Sequence, residues 1–166
     1  MQRKLNPATI GDHTDRLFRA AWALCGNRED AEDLVQETYA RVLARPRLVR
    51  RHDDLGYLLR ALRNTFLSDR RTAARRPSAA DMGDDWDPPD TRSGRSPEAA
   101  IEAREVFAAI ATLAVDQREV LVAVDVVGLS YAEAAKALRI KEGTVMSRLY
   151  RARAAVAEAL GGPRPR

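Results

Sequence analysis

The sequence predicts an all-α protein made of two small helical domains that are joined by a flexible acidic linker. Hydrophobic residues form 45% of the 166 residues and aromatic residues only 5%. The cores must therefore consist mainly of Ala, Leu and Val, which suits packed helices better than a β-sandwich. The composition changes sharply after Arg76, where a stretch rich in Pro and Asp begins. We divide the chain into an N-terminal helical domain (1–76), the linker (77–97) and a C-terminal helical domain (98–166).

Three helices are predicted in the N-terminal domain, because apolar residues recur there at helical spacing. They are expected over about 14–24, 28–44 and 55–71, and the second is expected to turn Leu43 inward along with its other apolar residues. Gly26-Asn27 is predicted to end the first helix and Pro46 the second. Residues 1–11 are polar and are expected to be loose.

In the C-terminal domain, a helix is predicted to begin at Ser96-Pro97 and to turn Ile101 inward, and another is predicted over about 116–127. The stretch 128–153 is typical of a helix–turn–helix. Ser130 and Glu133 have the spacing of a capping box at the start of its first helix. The turn falls at Arg139-Ile140-Lys141, where a positive φ at Arg139 would carry strain.

The second helix of this motif is predicted to have one buried and one polar face. Val145, Leu149, Ala152 and Val156 form the apolar stripe. The opposite face is polar and basic, as required for an interaction with the DNA major groove, and is flanked by Arg148 and Arg153. An ordinary amphipathic hairpin with a solvated basic face is the alternative interpretation.

The charge distribution points to a second nucleic-acid site. The net charge is +4 with a sequence pI of about 9.6. The N-terminal domain has 16 basic and 10 acidic residues, the linker 2 and 5, and the C-terminal domain 10 and 9. The basic surplus thus lies away from the helix–turn–helix, which a second nucleic-acid site would explain. The single cysteine, Cys25, excludes an internal disulfide and is interpreted as a small core residue.

Four segments carry a resemblance to a known family. They are the stretch 27–39, the residues from Tyr57-Leu58 through Arg63-Asn64 to Asp69-Arg70-Arg71, and the stretches 128–133 and 143–153. Together they resemble bacterial RNA polymerase sigma factors of the extracytoplasmic-function (ECF) class. Many regulators share the C-terminal pattern, but both halves in this order across a linker are strong evidence.

The resemblance implies partners and site residues. Core RNA polymerase is the expected protein partner, through its β′ clamp helices and its β flap, and an anti-sigma factor is a further partner that the family allows. The β′ clamp helices would dock on the acidic face formed by Asp30, Asp33, Gln36 and Glu37. The minus-ten element of promoter DNA would be bound by Arg50, Arg51, Arg60, Arg63, Asn64, Arg70 and Arg71. The minus-thirty-five element would be bound by Thr144, Met146, Ser147, Arg148, Tyr150 and Arg151.

We therefore expect a sigma factor that directs core polymerase to promoters and helps to open the DNA, with no catalytic activity, cofactor or metal of its own. The alternative is an autonomous helix–turn–helix regulator that binds duplex DNA without polymerase. An enzyme is disfavoured because the sequence contains no convergent metal-ligand cluster, phosphate-binding Gly loop or nucleophile–base spacing. With no signal peptide or long apolar span, we expect the protein in the cytoplasm and no membrane insertion.

Overall fold

The computed structural model describes residues 2–5, 7–50, 53–75 and 96–162, and its helices confirm the all-α expectation. In the N-terminal half (described residues up to 75) the elements are β1 Gln2–Lys4, α1 Pro7–Ile10, a 3₁₀ turn Gly11–His13, α2 Thr14–Cys25, α3 Arg28–Ala44, β2 Leu48–Arg50 and α4 Asp54–Ala74. In the C-terminal half (96–162) they are α5 Pro97–Ala111, α6 Val115–Leu121, a π-helical segment Val122–Val126, α7 Tyr131–Leu138 and α8 Glu142–Ala159. Of the predicted linker, 77–95 lies outside the described residues.

In the N-terminal half, α2, α3 and α4 pack around one core. Trp22 is buried at its centre and meets the Phe18 ring edge-on, with the ring centroids 5.4 Å apart. Gly26 adopts a left-handed φ of 84° and donates its N–H to the Trp22 carbonyl, which ends α2. The next residue, Asn27, accepts a hydrogen bond from the backbone N–H of Asp30 and so caps α3.

A short antiparallel ribbon joins the start of the chain to the segment before α4. Gln2 pairs with Arg50 and Lys4 with Leu48, and Leu5 and Ile10 are buried. The expectation of a loose segment over 1–11 is therefore wrong for its described residues. Strands of three residues are too short to show an alternating pattern, and the two buried side chains anchor this segment to the helices.

Two expected core positions are also corrected. Leu43 is 47% exposed and Ile101 57% exposed, although both were expected to point inward. The buried stripe of α3 instead includes Thr38 and Val42, and the Thr38 hydroxyl donates to the Leu34 carbonyl within the helix at 2.6 Å. Burial of a hydroxyl is inexpensive when it is hydrogen-bonded in this way, so the helix does not need Leu43 on its inner face.

In the C-terminal half, α8 packs against α5, α6 and α7. The helix expected over 116–127 begins as α6 and continues as the π-helical segment. Ser130 and Glu133 form the predicted capping box, and Arg139 has the predicted positive φ, at 57°. Val145, Leu149 and Ala152 form the buried stripe of α8 as expected.

The two halves contact each other directly in this structure. The π-helical segment and α5 pack on α2, and α7 packs along α4. We call this contact between the halves the seam. Within the described residues, none of the helices has the length and apolar character needed to cross a membrane.

Candidate functional site

The predicted docking face lies on the outer side of α3, where all four of its residues are exposed. Asp30 accepts a hydrogen bond from the Asn27 side chain at 2.8 Å, and Glu37 forms an ion pair with Arg41 at 2.7 Å along the helix. Asp33 and Gln36 lie between them on the same side of the helix. The face carries an excess of negative charge at its centre, which suits a basic partner surface.

A groove of about 1030 Å³ runs beside this face and is lined by both halves of the chain. Leu34 and Phe66 contribute apolar surface from the N-terminal half, and Asp69 adds to the acidic rim. Ala111 and Arg118 line it from the C-terminal half. An apolar floor with an acidic rim is the kind of surface that accepts an amphipathic helix with basic residues.

Three of the residues predicted to bind the minus-ten element are exposed along the second part of α4, namely Asn64, Arg70 and Arg71. The Arg70 guanidinium lies over the Phe66 ring, 5.6 Å from its centroid. This arrangement limits the motion of a cation beside the groove while leaving it accessible. Arg51 lies outside the described residues, as does the side chain of Arg50.

The other two, Arg60 and Arg63, contact the C-terminal half. Arg60 donates to the main-chain carbonyls of Lys136 at 3.1 Å and of Ala137 at 3.3 Å, near the end of α7. Arg63 forms an ion pair at 2.9 Å with Glu119, a carboxylate that is only 6% exposed. The charge pattern alone could not reveal this pairing, because it depends on how α4 and α6 meet in space.

The polar face of α8 is open. Met146 and Tyr150 are 54% and 55% exposed, Ser147 and Arg151 are also exposed, and Thr144 is half-buried near the start of the helix. These side chains lie beyond the buried stripe, on the side of the helix turned away from α6 and α7. The face is therefore arranged as a helix–turn–helix requires for contact with base edges.

The two arginines that flank this face have partners in the described chain. Arg153 forms a two-point pair with Asp125 of the π-helical segment, Nε to Oδ2 at 2.9 Å and a terminal nitrogen to Oδ1 at 2.6 Å. These hydrogen bonds raise the pKa of Arg153. Arg148, predicted to bind DNA, lies 3.4 Å from the carboxylate of Asp116. The sequence analysis did not identify Asp125 and Glu119 as the acidic partners of Arg153 and Arg63.

Comparison with known families assigns both halves. The chain matches the family described as Sigma-70 region 2 over residues 9–76, and the family described as Sigma-70, region 4 over residues 103–156. The first match includes α2, α3 and α4, and the second includes the helix–turn–helix.

Individual ECF sigma factors are also similar to this chain in sequence. The ECF RNA polymerase sigma factor SigE of Mycolicibacterium smegmatis is 34% identical over 147 residues, which is 87% of this chain and 57% of that relative. The ECF RNA polymerase sigma factor EcfG of Rhodopseudomonas palustris is 39% identical over 134 residues, 80% of this chain and 72% of that one.

Among solved structures, the sigma factor RpoE of Bartonella quintana, in complex with the anti-sigma factor NepR, superposes with a TM-score of 0.70 at 25% identity. The superposition covers 94% of this chain and 98% of that one. Region 2 precedes region 4 in this chain, and both relatives described above carry the ECF name. The chain therefore belongs to the ECF family of RNA polymerase sigma factors.

Proposed function

We propose that this chain binds core RNA polymerase through the acidic face of α3, recognises promoters with α4 and α8, and helps to open the DNA. The observation that carries the proposal is the exposed carboxylate and amide surface of Asp30, Asp33, Gln36 and Glu37 beside a groove with an apolar floor. A surface of this kind complements a basic helix.

The two DNA-binding surfaces have different chemistry. The exposed part of α4 offers Asn64 for a base edge, with Arg70 and Arg71 for the backbone, which suits a separated strand. The exposed face of α8 offers Ser147 and Arg151 for base edges in the duplex. The catalytic step of transcription belongs to the polymerase, and this chain acts by binding alone, in the cytoplasm where the polymerase works.

The alternative of an autonomous regulator is not retained, because such a protein needs only the helix–turn–helix, whereas the region 2 match covers 9–76.

An anti-sigma factor is a further proposed partner. The RpoE structure contains one, and the apolar groove beside α3 is accessible to a helix from any such protein.

The decisive experiment is run-off transcription with core polymerase on the promoter upstream of the protein's own gene. Wild-type chain should give a defined transcript, and Asp33→Arg should abolish it together with co-purification of core, because like charges at an interface cost several kcal/mol, on the order of a thousandfold in affinity. Glu102→Arg, the same charge change at an exposed site on α5, should leave both intact. Retention of core by Asp33→Arg would place the docking surface elsewhere.

A further inference from the structure

The ribbon of β1 and β2 lies next to the element that is proposed to hold the separated DNA strand. β2 packs on α4 and pairs with β1, and Val49 at its centre is only 4% exposed. Arg45, Arg47 and Leu48, which precede Val49, are exposed. Pairing with β1 therefore supplies backbone hydrogen bonds to a segment whose other described side chains lie in solvent.

The segment before α4 is strongly basic. We call residues 45–50 the basic segment, and it contains three arginines and no acidic residue. Three like charges in six residues repel one another, so the basic segment has no tendency of its own to adopt one compact shape. A strand of DNA, with one negative charge for each nucleotide, is the complementary partner.

The register of the ribbon keeps its basic residues apart. The Cα partners are Gln2 with Arg50, Arg3 with Val49, and Lys4 with Leu48. Each basic residue thus lies opposite an uncharged one. A slip of one residue would place Arg3 opposite Arg50, and the opposite slip would place Lys4 opposite Arg47. Because like charges directly opposite each other are destabilising, the two strands favour a single register, which fixes the position of each residue in β2.

β1 is itself attached to the helical core. Leu5, which follows it, and Ile10 of α1 are each 6% exposed. The Tyr39 hydroxyl of α3 lies 3.0 Å from the Thr14 hydroxyl at the start of α2, and it donates to the Ile10 carbonyl at 3.5 Å. These contacts join the segment after β1 to α2 and α3, so that β1 can hold β2 in a fixed position relative to α4.

A basic segment that is already ordered binds a separated strand more tightly than a loose one. Ordering a flexible segment on binding costs conformational entropy, and prior ordering avoids this cost. The gain matters most when base pairs must be broken before the strand can bind, because the binding free energy then has to offset the unpairing energy.

We propose that β1 is a positioning element for DNA opening, which holds the basic segment in the conformation that captures the separated strand beside α4. Backbone pairing carries this role, and the charges of Arg3 and Lys4 do not. This inference rests on the proposed function, since it takes the chain to bind core polymerase and to hold the separated strand next to α4.

The test compares full-length variants in complex with core polymerase, on the promoter upstream of the protein's own gene. The ribbon variant combines Arg3→Pro with Lys4→Pro and so removes two backbone N–H groups. One of any two consecutive residues in a strand directs its N–H to the paired strand, so at least one hydrogen bond of the ribbon is lost. The control combines Arg3→Gln with Lys4→Gln, which removes the same two charges and keeps both N–H groups.

DNA opening is measured by the permanganate reactivity of unpaired thymines. The ribbon variant should open the duplex promoter about tenfold more slowly than wild type, equivalent to about 1.4 kcal/mol, the scale of ordering the backbone of one residue. The control should stay within about twofold of wild type, because its backbone pairing is unchanged.

A second template separates opening from other steps. Its minus-ten region is mismatched, so the unpairing energy is already supplied and tighter capture of the strand is no longer needed. Wild type, ribbon variant and control should give equal transcript on this template. A general structural defect would instead lower the transcript from both templates alike.

Tyr39→Phe is a milder second variant, because it removes the hydroxyl next to Ile10 and Thr14 and leaves β1 unchanged. It should slow opening of the duplex promoter about threefold while core polymerase binds normally, since one hydrogen bond of the anchor is lost. If the two prolines also weaken core binding, Tyr39→Phe decides the question.

Wild-type opening rates in both the ribbon variant and Tyr39→Phe would overturn the positioning role and leave the proposed function standing. Equal slowing by the Gln control would show that β1 acts through its charge, and equal loss on the two templates would place the defect outside DNA opening. Either result would also overturn the inference. Failure of the wild-type complex to open the promoter would overturn both the inference and the proposed function.

Discussion

Arg139 is the clearest case of local strain in the described chain. It occupies the left-handed region at φ 57°, immediately after α7, where its N–H bonds to the Ala135 carbonyl. The tight turn between α7 and α8 requires this conformation, which costs a residue with a Cβ about 1 kcal/mol of stability relative to glycine.

Arg139→Gly should therefore raise the free energy of unfolding by about 0.5–1 kcal/mol, measured by urea titration. Arg139→Ala keeps the Cβ and removes only the guanidinium, so it should give no such gain. Equal stabilisation by both substitutions would show that charge, and not backbone strain, is relieved at this turn.

Cys25 lines the groove, yet its thiol should be unreactive. Burial, followed by the charges of Asp30 and Asp69, raises its pKa to about 12. Thiolate is the reactive species, so at pH 8 alkylation by iodoacetamide should be slower in the folded chain than in urea by about two to three orders of magnitude.

The same shift makes stability depend on pH. The folded chain keeps the thiol proton above pH 9 while the unfolded chain loses it, so this contribution to stability is complete below pH 9 and declines between pH 9 and about 12. Cys25→Ala should lack that component of the decline. Rapid alkylation of the folded chain at pH 8 would contradict the assignment.

An ion pair with two hydrogen bonds joins α8 to the π-helical segment. Arg153 and Asp125 make two parallel hydrogen bonds, whereas Arg148 and Asp116 approach only to 3.4 Å. Two-point pairs hold geometry better than single contacts, because both side chains are fixed at once.

A double-mutant cycle with Asp125→Ala and Arg153→Ala should give a coupling energy of about 1 kcal/mol in urea unfolding. The cycle with Asp116→Ala and Arg148→Ala should give a value close to zero. A larger coupling in the second cycle would show that the Arg148–Asp116 pair contributes more to the stability of the C-terminal half than the Arg153–Asp125 pair.

The elements themselves were largely predictable from local signals. The bounds of α3 follow from the Asn27–Asp30 cap and the break at Pro46, and the start of α7 follows from the Ser130–Glu133 box. The ribbon of β1 and β2 was not predicted, because a three-residue strand is too short to show an alternation of apolar and polar residues. Its pairing also joins residues far apart in sequence. The prediction that Leu43 points inward was wrong, because the buried stripe of α3 includes the hydrogen-bonded Thr38 instead.

The relation between the two halves could not be predicted from the sequence. Arg60 and Arg63 were predicted to bind DNA, but nothing local in the sequence distinguishes an arginine that faces solvent from one that faces Glu119. The exposed residues Arg70 and Arg71 look the same in sequence. Only the packing of α4 against α6 and α7 separates the two pairs.

Arg118 should be the residue that makes the two halves unfold together. Its guanidinium donates to the carbonyls of Leu24, Ala111 and Leu113, and so satisfies the ends of α2 and α5 at once. Arg118→Met removes these donors and should lower the free energy of unfolding by about 2 kcal/mol. Calorimetry should then resolve two transitions where the wild type gives one.

Arg118→Lys keeps the charge but not the planar arrangement of donors. Its free energy of unfolding should therefore lie between those of the wild type and of Arg118→Met. A single sharp transition in Arg118→Met, at the wild-type temperature, would show that apolar packing alone couples the halves.

The π-helical segment Val122–Val126 has a consequence for insertions and deletions. A π turn is equivalent to an α-helix with one additional residue, and one residue corresponds to about 100° of rotation and 1.5 Å of rise. Deleting a single residue here would restore a regular helix but rotate the elements after it, including the exposed polar face of α8, by more than a quarter of a turn. Natural variation at this segment should therefore consist of substitutions, and insertions or deletions should be absent from it.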